Sequence, residues 1–264
     1  MKIAWATDVH FDHSGMNEVK ALLQSFEESK ADVFLVGGDI SDSINLRRHL
    51  AMVNQIFNCP VYFVLGNHDA YGSSIAVAEQ IAKEAAEKHD SLHWLDRCKP
   101  MELTSKAVLI GTGGWCDAQA GDFFLEPTLL NDYSLINELR FQPSILLKDT
   151  LRRLGIKHAK RIAEKLKEIP DTCEEIWVLT HVPPWREACW HDGKLSDDMW
   201  VPHFSCLAVG EVLEKYMEKN PDKKMTVLSG HTHGEGRAEI LPNLLAITGK
   251  AVYGHPSLAG VFEI

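Results

Sequence analysis

Short apolar runs broken by polar clusters recur along the chain. Lys2–Thr7, Asp32–Gly37, Val61–Leu65 behind Pro60, and Val108–Gly111 read as buried strands. Between them the spacing turns helical: Val19, Leu22, Leu23 and Phe26 within Met16–Ser29, then Ile44–Phe57, then the Ala-, Glu- and Lys-rich Ser73–Lys88. Strands alternating with helices predict βαβ units and a sheet covered on both faces. After the flexible Gly111-Thr112-Gly113-Gly114, residues from about 117 to 170 carry no strand pattern and read as helical, most strongly over Ser144–Glu168. This stretch is expected to form an insertion over one edge of the sheet. Ile176–Thr180 and Met225–Ser229 return to strand, separated by a Pro-, Trp- and His-rich loop and a helix over Leu207–Lys219. From Arg237 to Ile264, apolar runs divided by Pro and Gly suggest antiparallel strands. No repeat, linker or low-complexity tract interrupts the pattern. It is read as one domain, residues 1–264, with a helical insertion at about 113–170.

The strands end alike. Asp8-Val9-His10, Gly37-Gly38-Asp39, Gly66-Asn67-His68-Asp69, His181 and Gly230-His231-Thr232-His233 each follow an apolar run directly. Ligands of α/β sheets bind beyond the carboxyl ends of the strands, so these clusters are placed to converge. Gly38, Gly66 and Gly230 fit turns that need a positive φ or a close backbone approach. Carboxylates, imidazoles and one Asn carbonyl make a donor set suited to Mn, Fe, Zn or Co. No cysteine joins it, which argues against a structural thiolate zinc site.

Composition narrows the partners. The chain has 264 residues, 45% hydrophobic and 24% charged, an ordinary globular composition and long enough to bury a sizeable core. With 37 acidic against 27 basic side chains, its formal charge is −10. That balance disfavours nucleic acid and anionic membranes as partners. No apolar run approaches the ~20 residues of a membrane span, and Asp8 interrupts the first run too early for a signal peptide. The six cysteines form no CxxC pair and read as reduced thiols of a cytoplasmic protein. Thirteen histidines stand beside five tyrosines, and histidine is the commonest metal ligand.

The ordered set Asp8-x-His10, Gly38-Asp39, Gly66-Asn67-His68-Asp69, His181 and Gly230-His231-x-His233 resembles the calcineurin-like metallophosphoesterase superfamily. Each motif is weak alone; all five in order, each behind a strand, are specific. The resemblance implies an α/β fold with mixed β-sheets packed as a sandwich core, flanked by helices on both faces, with a helical insertion. It implies Asp8, His10, Asp39 and His233 on one transition-metal ion, divalent or trivalent, and Asn67, His181 and His231 on a second, with Asp39 bridging. Such ions, roughly 3.5–4 Å apart, clamp a phosphate and generate hydroxide for in-line attack. It further implies that His68 faces the leaving oxygen and that Asp69 orients His68 through a hydrogen bond. The implied activity is hydrolysis of a phosphoester on a small soluble substrate. Gly38-Asp39-Ile40-Ser41-Asp42-Ser43 lacks the Asp-Arg-Gly ending of Ser/Thr protein phosphatases, and Asp69 stands where that branch has Glu. His181-Val182-Pro183-Pro184 is similar to small bacterial phosphodiesterases of the cyclic-nucleotide type, which favours a diester. A phosphomonoesterase acting on a phosphorylated metabolite is the alternative, followed by a non-catalytic binding module. A nuclease would need an electropositive groove.

Several features lie outside the motifs. Trp185, Arg186, Trp190, His191, Trp200 and His203 sit in the irregular loop that starts at His181. They are expected either to form a substrate wall that stacks on a base or other apolar leaving group, or to pack the loop against the sheet. Trp115 has the same two readings, and His13 either faces the substrate or sits on a surface loop. His49, His89, His93 and His158 read as solvated or locally hydrogen-bonded, and the basic run Lys148–Lys167 as a solvated helix face. Substrate identity, resident metals and oligomeric state do not follow from these residues.

Overall fold

The computed structural model describes residues 1–125 and 130–264. Its first half alternates β1 (Lys2–Ala6), α1 (Met16–Ser29), β2 (Val33–Gly37), α2 (Leu46–Ile56), β3 (Val61–Val64), α3 (Ile75–Lys88) and β4 (Leu92–Trp94). Then follow β5 (Met101–Glu102), β6 (Ala107–Thr112), α4 (Asp132–Leu135), α5 (Ser144–Lys167) and β7 (Glu175–Thr180). A ribbon of β8 (Trp190–His191) and β9 (Lys194–Leu195) precedes α6 (Leu207–Lys219) and β10 (Lys224–Ser229). The chain ends with β11 (Gly236–Leu241), β12 (Leu244–Thr248) and β13 (Gly260–Glu263).

The strands build two mixed sheets, in the orders β13-β1-β2-β3-β4 and β11-β12-β10-β7-β6-β5. In the first, β1 to β4 run parallel and β13 lies antiparallel on β1. In the second, β6, β7, β10 and β12 are parallel, with antiparallel β5 and β11 at the edges. The strands' period of two sorts their side chains into layers. Ile3, Trp5, Leu35, Tyr62 and Val64 meet Leu109, Trp177, Leu179 and Leu228 between the sheets. Ala4, Ala6, Phe34, Val36 and Phe63 point the other way, onto Val19, Leu22 and Phe26 of α1 and Leu50 and Val53 of α2. Val108, Ile110, Val178 and Val227 likewise pack on Ala159, Ile162 and Leu166 of α5 and Leu213 and Met217 of α6. The result is a sandwich of sheets flanked by helices, as the resemblance implies.

Two expectations need correction. The stretch 117–170 is helical only in part: among the described residues, 113–131 contain no helix, and α4 and α5 supply the rest. Residues 126–129 of the expected helical stretch lie outside the described residues. The apolar face of α5 packs on β6, beside the short edge strand β5, and on α6. The tail is antiparallel at β11–β12 and β13–β1, but β12 pairs parallel with β10. The two- and three-residue strands β4, β5, β8 and β9 are too short to show a period. Among the described residues, no helix is long and apolar enough to cross a membrane.

The polar side of α5 is not uniformly solvated either. Lys165 is buried, its Nζ donating to the carbonyls of Leu95 and Cys98. One turn earlier, Arg161 donates to Asp96 at 2.7 Å and to Glu79 at 3.0 Å. Asp96 also accepts from the Thr112 hydroxyl at 2.7 Å and the Gly113 amide at 3.1 Å. This network ties α5 to the end of β6. Because the Asp96 side chain is only 2% exposed, Arg161→Ala leaves a buried carboxylate short of its cation. The expected cost is about 3 kcal/mol, read as a lower urea midpoint at unchanged slope. Lys157→Ala, which removes a half-exposed partner of Glu79, is expected to cost less than about 1 kcal/mol in the same assay.

Candidate metal centre

The turns after β1 and β2 are joined backbone to backbone. Asp8 N donates to Gly38 O at 3.1 Å, His10 N to Asp39 O at 3.0 Å and Phe11 N to Ile40 O at 3.0 Å. This pairing sets Asp8 and His10 beside Asp39. From the second sheet, Gly230 N donates to His181 O at 2.9 Å, and His231 N donates to the Asp8 carboxylate at 3.0 Å. Asp8, His10, Asp39 and His233 consequently offer donor atoms that all lie within 4.8 Å of one another. His10 Nε2 and His233 Nε2 are 3.3 Å apart, and His233 Nε2 is 3.3 Å from Asp8 Oδ1.

A second group adjoins through Asp39. His181 Nε2 lies 3.0 Å from Asn67 Oδ1 and 3.4 Å from Asp39 Oδ1. The far ring nitrogen, Nδ1, lies 2.9 Å from Gly37 O. Donation there leaves the lone pair on Nε2, facing two oxygens. His231 is arranged in the same way, with Nε2 at 3.2 Å from His203 O, which leaves Nδ1 free to ligate. A carbonyl partner on the outer nitrogen is the usual device for presenting a histidine to a metal. Asn67 is oriented by donation to Asp132 Oδ1 at 2.8 Å and by Tyr71 Oη at 3.3 Å.

Three observations fit these residues to cations. Lone pairs face lone pairs, so the groups repel unless a positive charge sits between them. Burial pushes the imidazoles of His10 and His231 down to about 2 and 3, and lowers His181 as well; a ligating imidazole must be neutral. Burial, with the neighbouring charges of Asp8 and Asp69, lifts the Asp39 carboxyl well above the usual carboxylate range. A bound cation would remove that penalty. The backbone is committed to this geometry: Asp8, His10, Asp39, His231 and His233 all take positive φ, between 39° and 68°. Left-handed non-glycine residues of this kind cluster where function outweighs local strain.

Of the three glycines, only Gly38 needs its freedom of φ, at +88°. Gly66 and Gly230 are required by space. A Cβ at Gly66 would sit 2.1 Å from Asp39 Oδ1, and one at Gly230 would sit 2.0 Å from Asp8 Oδ2.

His68 reaches the same place, with Nε2 3.9 Å from Asp39 Oδ2. Burial and the nearby His181 push its imidazole down to about 3. The expected hydrogen bond from Asp69 is not made. His68–Ala70 is a single tight helical turn that sends the two side chains apart, and Asp69 is fully buried. Its oxygens accept from the amides of Gly66, Ile40 and Ser41 at 2.8–3.0 Å. Asp69 therefore clamps the β3 turn to the β2 turn, while the His68 ring is stacked on Tyr71 at 4.0 Å.

The loop after His181 divides between core and cleft. Trp185 is core, 4% exposed, with its indole N–H on Glu214 at 2.5 Å. Trp115 is likewise buried in the first-sheet core. Trp190 packs on Gly234 and Gly236, and Arg186 pairs with Asp198. His203 is buried behind the site, its Nδ1 2.5 Å from Tyr133 Oη. Trp200 and His191 line a cleft that opens beside His231 and His233. His13 stands at the rim, its side chain 54% exposed, whereas His49 and His158 are buried and hydrogen-bonded to Ser41 and Thr112. Reading by motif missed Asp132, Tyr71 and Tyr253. Tyr253 Oη lies 3.4 Å from His68 Nε2, and its ring lies 4.4 Å from that of His10.

Gly230→Ala forces both Asp8 and the buried Thr7 hydroxyl aside. It is expected to weaken manganese binding about 10–100-fold in equilibrium dialysis, with an unchanged far-ultraviolet circular dichroism spectrum.

The family profile described as "Calcineurin-like phosphoesterase" matches residues 1–235. No curated protein sequence matches the chain. Among solved structures, the chain is similar to the phosphopantetheinyl hydrolase PptH of Mycobacterium tuberculosis, with 12% identity, TM-score 0.65, and 97% of this chain and 95% of that one covered. It is similar to a dimetal phosphatase from Danio rerio, with 12% identity, TM-score 0.60, and 99% and 91% covered. A 5'-nucleotidase from Candida albicans is matched at 11% identity and TM-score 0.50, over 94% of this chain but 45% of that one. At such identities these likenesses concern the fold. Together with the match over residues 1–235, they show that the chain belongs to the calcineurin-like phosphoesterase family.

Proposed function

We propose that this chain hydrolyses a phosphodiester of a small soluble substrate at a dinuclear centre. Asp8, His10, Asp39 and His233 would hold one ion, and Asn67, His181 and His231 the other, with Asp39 shared. The observation that carries the reading is the convergence of carboxylate and imidazole donors on one point, with His181 and Asn67 meeting beside it at Asp39, next to an open cleft. The donor set suits Mn, Fe, Zn or Co. Bound there, such ions would polarise the phosphoryl oxygens and supply an activated water.

The chain's own residues do the rest. Three carbonyl or carboxylate anchors (Gly37 O, His203 O and Asp132) fix His181, His231 and Asn67, so little reorganisation accompanies binding. Tyr71 and Tyr253 hold the His68 ring between them. In the neutral form that burial imposes, His68 can present one N–H to a phosphoryl or leaving oxygen. A diester is favoured by the cleft beside His231 and His233, which leaves room for a second ester arm next to the proposed ligands. The six cysteines are free thiols, which supports a reducing, cytoplasmic setting.

The enzyme stripped with chelator and reloaded with manganese, iron, cobalt or zinc is expected to cleave bis(4-nitrophenyl) phosphate faster than 4-nitrophenyl phosphate. Cleavage of the monoester alone would overturn the diester reading, and inactivity with every metal would overturn the enzyme. His68→Ala is expected to lower kcat about 10²–10⁴-fold while the metal content measured by atomic emission stays at the wild-type value. Loss of metal in that variant would instead place His68 among the ligands.

A further inference from the structure

The cleft beside the second group of ligands has a volume of about 420 Å³, within the range of small-molecule sites. Its inner end is His231 and His233. From there an aromatic wall runs outward, with the Phe204 ring 5.0 Å from His231 and the Trp200 ring 6.0 Å from Phe204. Tyr253 joins it from the C-terminal tail, 4.9 Å from the His233 ring. Trp200 is 39% exposed, Leu195 46% and Tyr253 47%. Each keeps part of its surface at the opening, with Trp200 seated on Phe204 and Tyr253 on the His10 and His233 rings. Several polar groups along the cleft are hydrogen-bonded locally, while the buried Thr232 hydroxyl has no partner. Asp197 accepts from the amides of Met199 and Trp200, the Ser196 hydroxyl donates to Cys189 O, and His191 Nδ1 meets Thr232 O. No lysine or arginine is among the described residues that line it.

Resting on the phosphodiester reading above, we infer that this cleft is a subsite for one ester arm, and that it takes an uncharged planar arm stacked on Trp200 and Phe204. The wall is continuous with His231, so an arm stacked on it would lie next to the proposed metal centre. Stacking on aromatic side chains is tolerant of ring identity and carries about 1–3 kcal/mol per ring. An arm bearing its own phosphate or carboxylate is rejected, because it would be desolvated against Asp197 and the rings with no cation to receive it. Tyr253 lies outside residues 1–235, the span that the family profile matches, whereas Trp200 and Phe204 lie within it.

The test compares arms on one phosphate in the manganese-loaded full-length protein. Diphenyl phosphate is expected to bind about tenfold or more tightly than dimethyl phosphate by isothermal titration calorimetry, and bis(4-carboxyphenyl) phosphate no better than dimethyl phosphate. In Trp200→Ala the ratio of diphenyl to dimethyl affinity is expected to fall to about one to threefold, and in Trp200→Phe, which keeps a ring, to stay close to the wild-type ratio. A wild-type ratio near one, an unchanged ratio in Trp200→Ala, or tight binding of the carboxylated probe would each overturn the subsite. Metal-dependent cleavage of methyl 4-nitrophenyl phosphate, followed in parallel, separates the two readings. Cleavage without discrimination between arms removes only the subsite, whereas no cleavage with any metal removes the phosphodiesterase reading as well.

Discussion

The close approach of four strand ends is the constraint on which the rest of the molecule depends. Asp8, Asp39, Gly66 and Gly230 come so near one another that a methyl group at either glycine would overlap a carboxylate oxygen. Two carboxylates and several unprotonated imidazoles in that space repel, and five of the residues that carry them sit in left-handed backbone. Neither cost, of order 1 kcal/mol or more per strained residue, could be met by a local turn. It is met by the scaffold. The β1 and β2 turns are laced by backbone hydrogen bonds, Asp69 clamps the β3 turn to them, and Gly230 N bonds His181 O across the second sheet. Two sheets packed face to face and covered by helices hold those turns still, and cations placed between the donors turn the remaining repulsion into binding energy.

This division explains which parts could be read from sequence. Buried parallel strands are nearly continuous apolar runs, so β1, β2, β3, β7 and β10 were legible, and the polar residues directly after them followed. The candidate donors are legible for the same reason: a parallel strand's carboxyl end fixes where its next residue goes. Asp69 shows where adjacency stops informing. It neighbours His68 in sequence, yet one helical turn sends it to the backbone amides of the β2 turn, and no periodicity encodes that choice. Lys165 shows a similar limit. On a helix with a basic face it reads as solvated, but the Leu95 and Cys98 carbonyls reach it from another element.

Two of the residues that reading by motif missed lie away from the strand ends, Asp132 at the start of the short α4 and Tyr253 in a turn of the C-terminal tail. Asp132 reaches Asn67 across 65 positions and Tyr253 reaches His68 across 185. Neither is preceded by a strand or a repeating pattern, so only the folded chain shows that one sets the Asn67 amide and the other the His68 ring. The tryptophans after His181 are the same case. Trp185 and Trp200 have similar surroundings in sequence, and tertiary packing alone made the first core and left the second at the cleft.

Charge behaves differently at the two scales. The chain as a whole carries −10, which bears on what large partners approach. At the site, burial keeps His10, His68 and His231 neutral around pH 7, so their own protons contribute no positive charge. The sign there is set by carboxylates and by whatever cations they bind. A cleft wall without lysine or arginine adds nothing to it. Attraction for an anion is thereby confined to one end of the cleft, at His231 and His233, while the lining beyond presents Leu195, Trp200 and Phe204 beside Asp197. A substrate with one negative charge at phosphorus and an uncharged ring beside it matches that gradient; one with charge distributed along its length does not.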